Sequence, residues 1–367
     1  MTTGFYSDER CFWHGGGNYA FTLPVGGLVQ PLAGGLPENP ETKRRLLNLV
    51  NATGLADHLS MRRGTPATWE EMARVHPHSY LEAFKAMSDE GGGELGLRTP
   101  FGRGGFEIAG VSAGLARSAL ADVLTGAARN AYALSRPPGH HCLPDWPNGF
   151  CLLNNIGIAI RSVQAAGLAR RVAVVDWDVH HGNGTEAVFW DDGEVLALSL
   201  HQDRNYPMNT GGVEAKGAGK GLGTNINVPL PPGTGNVGYL HAVERIVVPA
   251  LTRFKPDVII VACGFDAAAV DPLGRMLATA ETFRAMTQAM MQAAEALCGG
   301  RLVLVHEGGY SEVYVPFCGH AVLEELSGAP VHAPDPMGDT LAKRQPDARF
   351  DRFVAAWIDE IAAEHGL

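Results

Sequence analysis

The sequence has no long hydrophobic run, no basic cluster and no paired-cysteine motif, and each absence excludes a class of protein. No apolar run approaches the roughly 20 residues that a membrane-spanning helix needs, so we expect no membrane association. Lys and Arg number 29 against 39 Asp and Glu, and the resulting net charge of −10 gives direct nucleic-acid binding no electrostatic support. The six cysteines are scattered without a Cys-x-x-Cys pair, which argues against a disulfide framework and against a thiolate zinc site.

The amino-terminal residues also lack the apolar segment of a secretory signal peptide, because Asp8, Glu9 and Arg10 follow closely on the start. There is no internal repeat and no low-complexity linker, and the glycine-rich pieces are short enough to be surface loops. With 46% hydrophobic and 19% charged residues, the chain has enough apolar material for one large core. We therefore expect a cytoplasmic protein with a single domain over residues 1–367.

Short apolar runs rich in aliphatic residues recur along the chain, and stretches with helical periodicity separate them. Runs of this length and composition are typical of buried parallel strands. The predicted strands are Tyr132–Leu134, Val172–Val175, Val195–Leu198, Val258–Val261 and Leu302–Val305. The predicted helices are Pro40–Val50, Val111–Leu124, Ile156–Gln164, Val237–Phe254, Thr279–Leu297 and Phe350–Glu364. This alternation indicates an α/β fold.

Polar and ionisable residues follow every one of these predicted strands. The segments concerned are Arg136–His141, Asp176–Asn183, Ser199–Gln202, Cys263–Asp266 and His306–Tyr310. In open α/β sheets, ligands bind at the carboxyl ends of the strands. The sequence therefore predicts one shared active site, built from several loops at one edge of the sheet.

The first candidate group in these loops is a set of metal ligands. Asp178 and His180 lie two residues apart, so in an extended segment they point to the same side and can hold one ion. Asp266 ends another predicted strand and supplies a third ligand. Two carboxylates and one imidazole suit zinc with one coordination position left open, while iron(II) and cobalt(II) would accept the same ligands. A hydrogen-bonded Asp–His turn is the structural alternative.

A second candidate group is the adjacent pair His140 and His141, which follows the stiff turn Arg136–Gly139. Amide hydrolysis needs a base to activate water and an acid to protonate the departing amine, and two imidazoles can divide this work. Asp176 could hold one ring in its charged form, and Asn183 could hold the other in a form that loses its proton more readily. A pair of structural histidines is the alternative.

The third candidate is Tyr310, which follows Glu307, Gly308 and Gly309. The two glycines let the backbone bend sharply. A phenol at this place could donate a hydrogen bond to the oxyanion of a tetrahedral intermediate. Taken alone, the motif is equally consistent with a buried core tyrosine.

Together, these motifs resemble those of the class II histone deacetylases and bacterial histone deacetylase-like amidohydrolases, in the arginase/deacetylase superfamily. The resemblance covers about residues 5–326. The motifs that carry it are Arg136–His141, Gly149–Asn155, Asp176–Thr185, Gly264–Ala267 and Glu307–Tyr310. It implies a three-layer α/β fold, in which a central, mostly parallel sheet of about eight strands lies between helices on both faces.

The resemblance also implies roles for single residues. The implied zinc ligands are Asp178, His180 and Asp266. The implied catalytic residues are His140, His141 and Tyr310, with Asp176 and Asn183 as partners of the histidines. A potassium ion near the zinc would be held by main-chain oxygens and one hydroxyl, from Asp176, Asp178, His180, Leu200 and Ser199.

A substrate channel is a further implication. Phe150 matches one aromatic wall, and Tyr206 stands where the facing wall is usually Phe, which makes the channel slightly more polar. Arg45 resembles the arginine that lines an internal acetate cavity. Arg98 departs from the family pattern, since many relatives have there an Asp that binds the substrate backbone. The other implied substrate contacts are Leu273, Gly149, Gly308 and Pro138.

Two positions bear on the substrate class. Ala268 stands where dinuclear arginase-type relatives have a second carboxylate, and Leu273 stands where polyamine deacetylases have a Glu that attracts a distant ammonium. We therefore expect zinc-dependent deacetylation of an acyl-lysine peptide or a similar small acylated amine, with release of acetate. Deacetylation of acetylpolyamines and a non-catalytic acyl-lysine-binding scaffold stay open as alternatives, as does assembly into a homo-oligomer.

Overall fold

The computed structural model, which describes residues 2–367, contains one large sheet and two small hairpins. The strands of the large sheet are β1 (Thr3–Tyr6), β4 (Leu59–Arg62), β7 (Ala131–Ala133), β8 (Val172–Asp176), β9 (Val195–Gln202), β10 (Asn225–Leu230), β11 (Val258–Cys263) and β12 (Leu302–His306). The hairpin strands are β2 (Tyr19–Ala20) with β3 (Leu23–Pro24), and β5 (Gly92–Glu94) with β6 (Pro100–Gly102). The large sheet has the order β10-β9-β8-β11-β12-β7-β1-β4, and all of its neighbouring strands are parallel.

Helices account for most of the remaining secondary structure. The α-helices of residues 2–367 are α1 (Glu41–Ala52), α2 (Trp69–Met72), α3 (His78–Glu90), α4 (Gly105–Leu124), α5 (Asn155–Ala165), α6 (Asn183–Phe189), α7 (Asn236–Ala242), α8 (Val248–Phe254), α9 (Ala280–Cys298), α10 (Val315–Ser327), α11 (Gly338–Ala342) and α12 (Ala348–Glu364). Short 3₁₀ turns are Glu9–Trp13, Leu55–His58 and Gly219–Gly221. Within residues 2–367, none of the helices combines the length and the apolar character needed to cross a bilayer.

Helices cover both faces of the sheet, so the three-layer fold class is confirmed. Successive side chains of a strand point to opposite faces, and in β8 Ala173 and Val175 belong to one apolar core while Val172 and Val174 belong to the other. The first core is closed by α1, α7, α8, α9, α10 and α12. The second is closed by α4, α5 and α6. Burial on both faces explains why the central strands are continuous apolar runs.

All five predicted strands are confirmed, but β1, β4 and β10 were not predicted. Each of the three contains polar residues that interrupt the apolar pattern. In β10, the side chains of Asn225 and Asn227 donate hydrogen bonds of 2.6 and 2.8 Å to Glu186 Oε2 on α6. A partly buried carboxylate from another element therefore accepts hydrogen bonds from these amides, and the local sequence of β10 does not predict that partner.

The predicted helix Val237–Phe254 is interrupted in the structure by a π-helical turn at Val243–Val247. Pro249 lies at the start of α8 and has no backbone N–H. The carbonyl four residues earlier therefore cannot receive its usual hydrogen bond, and the wider turn lies just before the proline.

Candidate active site

The carboxyl ends of the central strands meet at one edge of the sheet. Parallel pairing places Asp176 opposite Ser199 on β9 and opposite Ala262 on β11, and it places Cys263 opposite His306 on β12. The loops that follow these strands start side by side because the register is shared. This arrangement brings distant parts of the sequence into one buried group.

Asp178, His180 and Asp266 form the centre of this group. One ligand atom from each lies within 4.8 Å of the others, and all three side chains are buried. His180 Nδ1 is 3.0 Å from Asp178 Oδ1 and 3.1 Å from Asp266 Oδ2. Two carboxylates and one imidazole converging on a point are a donor set that fits a divalent ion such as zinc.

Backbone contacts hold both carboxylates in place. Asp266 Oδ1 accepts a hydrogen bond of 2.8 Å from Val179 N, and Asp178 Oδ2 accepts one of 2.8 Å from Gly308 N. A Cβ atom at Gly308 would collide with the carboxylate oxygens of both Asp178 and Asp266. The missing side chain therefore leaves space beside the ligand group, which supports the fit of an ion there.

The ionisable groups of the metal-ligand set shift one another's pKa values. Burial and the neighbouring charge of Asp178 raise the pKa of Asp266 to about 6. Burial opposes the charge of Asp178 too, but the rings of His140 and His180 hold its pKa well below the usual value. Burial likewise works against a charged His180, yet the carboxylates of Asp178 and Asp266 raise its pKa to about 10. The buried carboxylates thus favour a positive charge between them, as a cation-binding site does.

The adjacent histidines lie beside the metal-ligand group, with their ring centroids 4.0 Å apart. His140 Nδ1 is 2.9 Å from Asp176 Oδ2, and His141 Nδ1 is 2.8 Å from Asn183 Oδ1. The structure thus pairs one ring with a carboxylate and the other with a neutral amide, in the arrangement suggested by the sequence.

These partners affect the two rings in opposite directions. Burial disfavours a charged His140, but the carboxylates of Asp178 and Asp176 keep its pKa well above the usual value. Burial, together with the neighbouring His140 and His180, keeps the pKa of His141 well below the usual value. These directions favour a charged His140 and a neutral His141, so the pair can offer both a proton donor and a proton acceptor.

Tyr310 lies across from the histidines, and its ring centroid is 5.6 Å from that of Phe150 and 6.3 Å from that of His180. Its backbone N donates a hydrogen bond of 2.7 Å to Asp271 Oδ2. Burial raises the pKa of Tyr310 well above its usual value. The hydroxyl therefore stays protonated near neutral pH and is available as a hydrogen-bond donor.

A cavity of about 130 Å³ leads from this group to the surface. Its buried end is lined by His141, Phe150, His180 and Tyr310, together with the backbone of Gly149. Its partly exposed mouth is lined by Thr22, Arg98, Asn205, Tyr206 and Leu273. The predicted channel residues Phe150, Tyr206, Leu273 and Gly149 are thus brought together around one cavity.

The remaining predicted substrate contacts have other positions. Pro138 and Gly308 are not among the residues that line this cavity in the described part of the chain. Gly308 contacts the metal-ligand carboxylates instead, and Pro138 lies in the buried loop before His140. Gly149 has a φ of 54°, and a side chain there would collide with the ring of His141.

The expectation that Arg45 lines an internal cavity is wrong. Its side chain is 51% exposed, and its Nε lies 3.7 Å from Glu41 Oε2 on the surface of α1. The buried cation of this helix is Lys43, whose Nζ lies 3.5 Å from Glu38 Oε1. Helical periodicity is the reason: Lys43 and Val50, seven residues apart, share the buried face of α1, and a residue two positions after Lys43 points away from it.

Two residues that hold the site together were missed as functional candidates. Glu307 Oε2 accepts hydrogen bonds from Gly139 N and His140 N, at 2.7 and 3.1 Å, and so fixes the histidine loop to the end of β12. Asp271 Oδ1 accepts a bond of 2.8 Å from Leu273 N, while its other oxygen holds Tyr310. The available signals were the position of Glu307 at the start of the Glu307–Tyr310 motif and that of Asp271 two residues before the predicted substrate contact Leu273.

The predicted potassium ligands also lie together. Ser199 and Asp176 are opposite each other in the sheet, Leu200 follows Ser199 within β9, and Asp178 and His180 lie in the loop after β8. Ser199 Oγ lies 2.9 Å from His201 Nδ1 and 3.4 Å from Gly182 N. A potassium ion would have to share this hydroxyl with those two groups.

Comparison with known proteins identifies the family to which the chain belongs. Residues 36–326 match the sequence profile of the histone deacetylase domain. The chain therefore belongs to the histone deacetylase family.

Several relatives match over most of the chain. A histone deacetylase-like amidohydrolase of Pseudomonas aeruginosa is 55% identical over 366 residues, which are 100% of this chain and 96% of that protein. A probable deacetylase of Archaeoglobus fulgidus is 37% identical over 298 residues, which are 80% of this chain and 82% of that protein. The crystal structure of the HDA15 HD domain matches with a TM-score of 0.82 and 30% identity, covering 99% of this chain and 96% of the other.

Proposed function

We propose that the protein is a zinc-dependent amidohydrolase that removes the acetyl group from an acetyl-lysine-like substrate. The observation that carries the proposal is the convergence of Asp178 and Asp266 on His180, which lines the buried end of a cavity together with His141 and Tyr310. A deacetylase fits this combination, because amide hydrolysis needs charge stabilisation, proton transfer and a site that excludes bulk water.

Zinc would be held by Asp178, His180 and Asp266, and when bound it supplies a Lewis acid that polarises the acyl carbonyl. The carboxylates are fixed by Val179 N and Gly308 N, so the ligand group needs little rearrangement to receive an ion. The same donor set would accept iron(II) or cobalt(II). Potassium at Asp176, Asp178, His180, Ser199 and Leu200 belongs to the same proposal.

His141 is the residue placed to move the proton. It lines the cavity, and its Nδ1–H donates to Asn183 Oδ1, which leaves Nε2 to accept a proton from the attacking water. The same ring can return that proton to the amine nitrogen as the C–N bond breaks. His140 does not line the cavity in the described part of the chain, and its pairing with Asp176 keeps a positive charge beside the reacting groups.

Tyr310 completes the site by donating its hydroxyl hydrogen to the oxygen that becomes negatively charged. Its backbone is anchored by Asp271, and its ring is packed against Phe150. Donors that are fixed before the reaction stabilise an oxyanion without a further cost of reorganisation.

The walls of the cavity support an acyl-lysine substrate. Phe150 and Tyr206 offer aromatic faces for the methylene groups of a lysine side chain, and Leu273 offers no counter-charge for a distant ammonium. Tyr206 differs from the usual Phe by a hydroxyl, which donates a hydrogen bond of 3.1 Å to Asn148 Oδ1. The added polarity is therefore satisfied within the protein.

Metal content and turnover together test the proposal. Purified protein should carry about one equivalent of zinc, and Asp178→Asn and Asp266→Asn should lose both the zinc and the hydrolysis of an acetyl-lysine peptide. Asp145→Asn, at an exposed position away from the ligand group, is the matched control and should retain both. Full turnover after exhaustive chelation, or in Asp266→Asn, would contradict the proposed role of the metal.

A further inference from the structure

Arg98 lies at the mouth of the cavity in a backbone conformation that is uncommon for its residue type. Its φ is 59°, in the left-handed region. Gly149 N donates a hydrogen bond of 3.0 Å to Leu97 O, and Phe150 N donates one of 3.0 Å to Arg98 O. The backbone of Arg98 is therefore fixed to that of the channel wall, and its side chain starts at the mouth of the cavity.

The guanidinium of Arg98 reaches across the mouth from this wall to the opposite one. Its Cζ lies 5.4 Å from the ring centroid of Tyr206, which is a cation–π distance. Both residues line the cavity, and both are partly exposed. A face contact with an aromatic ring leaves the N–H groups at the edge of the guanidinium available for a hydrogen-bond acceptor.

This arginine has no carboxylate partner within residues 2–367. The nearby Arg204 forms an ion pair with Asp203 at 3.8 Å, whereas Arg98 forms none in the described chain. None of the residues that line the cavity is an Asp or a Glu. The mouth is thus locally cationic in a protein whose net charge is −10.

We propose that Arg98 selects acyl-lysine substrates that carry a free α-carboxylate, as the free amino acid or the last residue of a peptide. This inference rests on the proposed function. With the acyl amide at the buried end and the methylenes between Phe150 and Tyr206, the α-carbon reaches the mouth, where Arg98 lies. A guanidinium fork matches a carboxylate with two parallel hydrogen bonds. A polyamine would instead bring an ammonium to a cation that no carboxylate at the mouth offsets.

The test compares Nα-acetyl-Nε-acetyl-lysine with its carboxamide, two substrates that differ only in the charge of the α-carboxyl group. Wild-type protein should prefer the acid by about five- to tenfold in kcat/KM, as expected for a charge-assisted hydrogen bond partly open to solvent. The difference should lie mainly in KM, because the contact is remote from the reacting bond. It should shrink as NaCl is raised toward 1 M.

Variants assign that preference to one side chain. In Arg98→Ala the ratio of acid to amide should fall to about one, and in Arg98→Glu it should invert. Arg103→Ala is the matched control, since Arg103 is an exposed arginine of the same segment that does not line the cavity, and the wild-type ratio should persist there.

The outcomes separate this inference from the function on which it rests. Hydrolysis of the amide with no preference for the acid, or a preference that survives in Arg98→Ala, overturns the role of Arg98 and leaves the deacetylase proposal standing. If zinc-loaded wild-type protein hydrolyses neither substrate nor any acetyl-lysine peptide, the proposed function fails and the inference with it. If the preference for the acid is found, two further comparisons show whether the carboxylate comes from a peptide or from the free amino acid. A peptide ending in acetyl-lysine and free Nε-acetyl-lysine are each measured against the corresponding amide.

Discussion

Individual residues at the active site fall into those that line the cavity and those that hold them in place. His141 and Tyr310 face the space where a substrate would lie. Glu307 accepts a hydrogen bond from the backbone N–H of His140, and Asp271 accepts one from the backbone N–H of Tyr310. These two carboxylates are buried, so neither has water to replace the hydrogen bonds that it receives.

Tyr310→Phe tests the role of the phenol. Loss of one preorganised oxyanion donor should lower kcat/KM for an acetyl-lysine peptide by about 100- to 1,000-fold. Zinc content, measured by atomic absorption, should not change. Tyr239→Phe is the matched control, because the hydroxyl of this buried tyrosine has no partner among the described residues and should be dispensable for turnover. Wild-type rates in Tyr310→Phe would remove the tyrosine from the mechanism.

Asp271→Ala tests whether Asp271 positions Tyr310 for the reaction without contacting the substrate itself. Without the acceptor of Tyr310 N, the phenol should lose its fixed orientation, and kcat should fall by about 10- to 100-fold while KM changes little. Asp271→Asn keeps one acceptor oxygen and should recover part of the loss. Equal effects of the two substitutions on kcat, or a change confined to KM, would argue that Asp271 does not act through Tyr310.

At the scale of secondary-structure elements, local pattern identified the central strands but not the outer ones. Each of the confirmed strands β8, β11 and β12 is buried on both faces and therefore contains an uninterrupted apolar run. Strand β4 lies at an edge of the sheet, and its residues Ser60 and Arg62 are only half buried. A strand at the edge of the sheet, or one whose polar residues form tertiary hydrogen bonds as in β10, does not need an uninterrupted apolar run. The pattern on which strand prediction depends is therefore missing there.

Helices α9 and α10 pack together in the first apolar core, and the carboxylate of Glu324 adds a polar contact between them. It lies 2.5 Å from Arg284 Nη2 on α9 and 2.6 Å from His320 Nδ1, and Ala333 N donates a bond of 2.8 Å to it. Burial opposes its charge, but the hydrogen bonds from His320, Ala333, His332 and Arg284 lower the pKa of Glu324 to about 2.

Glu324→Gln should therefore destabilise the protein in a pH-dependent way. A carboxyl whose pKa falls on folding stabilises the folded state fully above its unfolded pKa, near 4.5, and that contribution is lost as the pH falls toward 2. At pH 7 the substitution should cost roughly 1–2 kcal/mol of unfolding free energy, with allowance for solvent screening. Urea unfolding of both proteins from pH 7 down to 3.5 should show the gap narrowing below about pH 4.5, with Glu325→Gln as control. A gap that is constant or widens would exclude this origin.

At the scale of the whole molecule, the site exists because one parallel sheet gathers loops from distant parts of the chain. Asp178 and His180 follow β8, and Asp266 follows β11, its neighbour in the sheet. An ion held by both loops would bind the folded protein and not the unfolded chain, so it should stabilise the fold.

Zinc should accordingly raise the thermal stability of the protein. At a free zinc concentration about 100 times its dissociation constant, the gain should be roughly 2.7 kcal/mol, which for a chain of this length corresponds to a Tm higher by about 3.5 °C. Differential scanning calorimetry of chelated and zinc-loaded protein measures this shift. Asp266→Asn should show little response, and an unchanged Tm in wild-type protein would argue against an ion that joins the two loops.

The sequence by itself determined the candidate chemistry, because the side chains of the metal-ligand group, the histidine pair and Tyr310 lie in short segments directly after apolar strands. Spacing of two residues was enough to predict that Asp178 and His180 act together. The family resemblance placed Arg45 wrongly, since one local motif does not say which face of a helix is buried.

Only the tertiary structure decided how these segments meet. It placed Asp266 beside His180, tied the histidine loop to Glu307, and brought Arg98 across the mouth of the cavity to Tyr206. Each of these contacts joins residues far apart in the chain. Local periodicity carries no information about such partners, because the sheet order and the packing of its loops fix them.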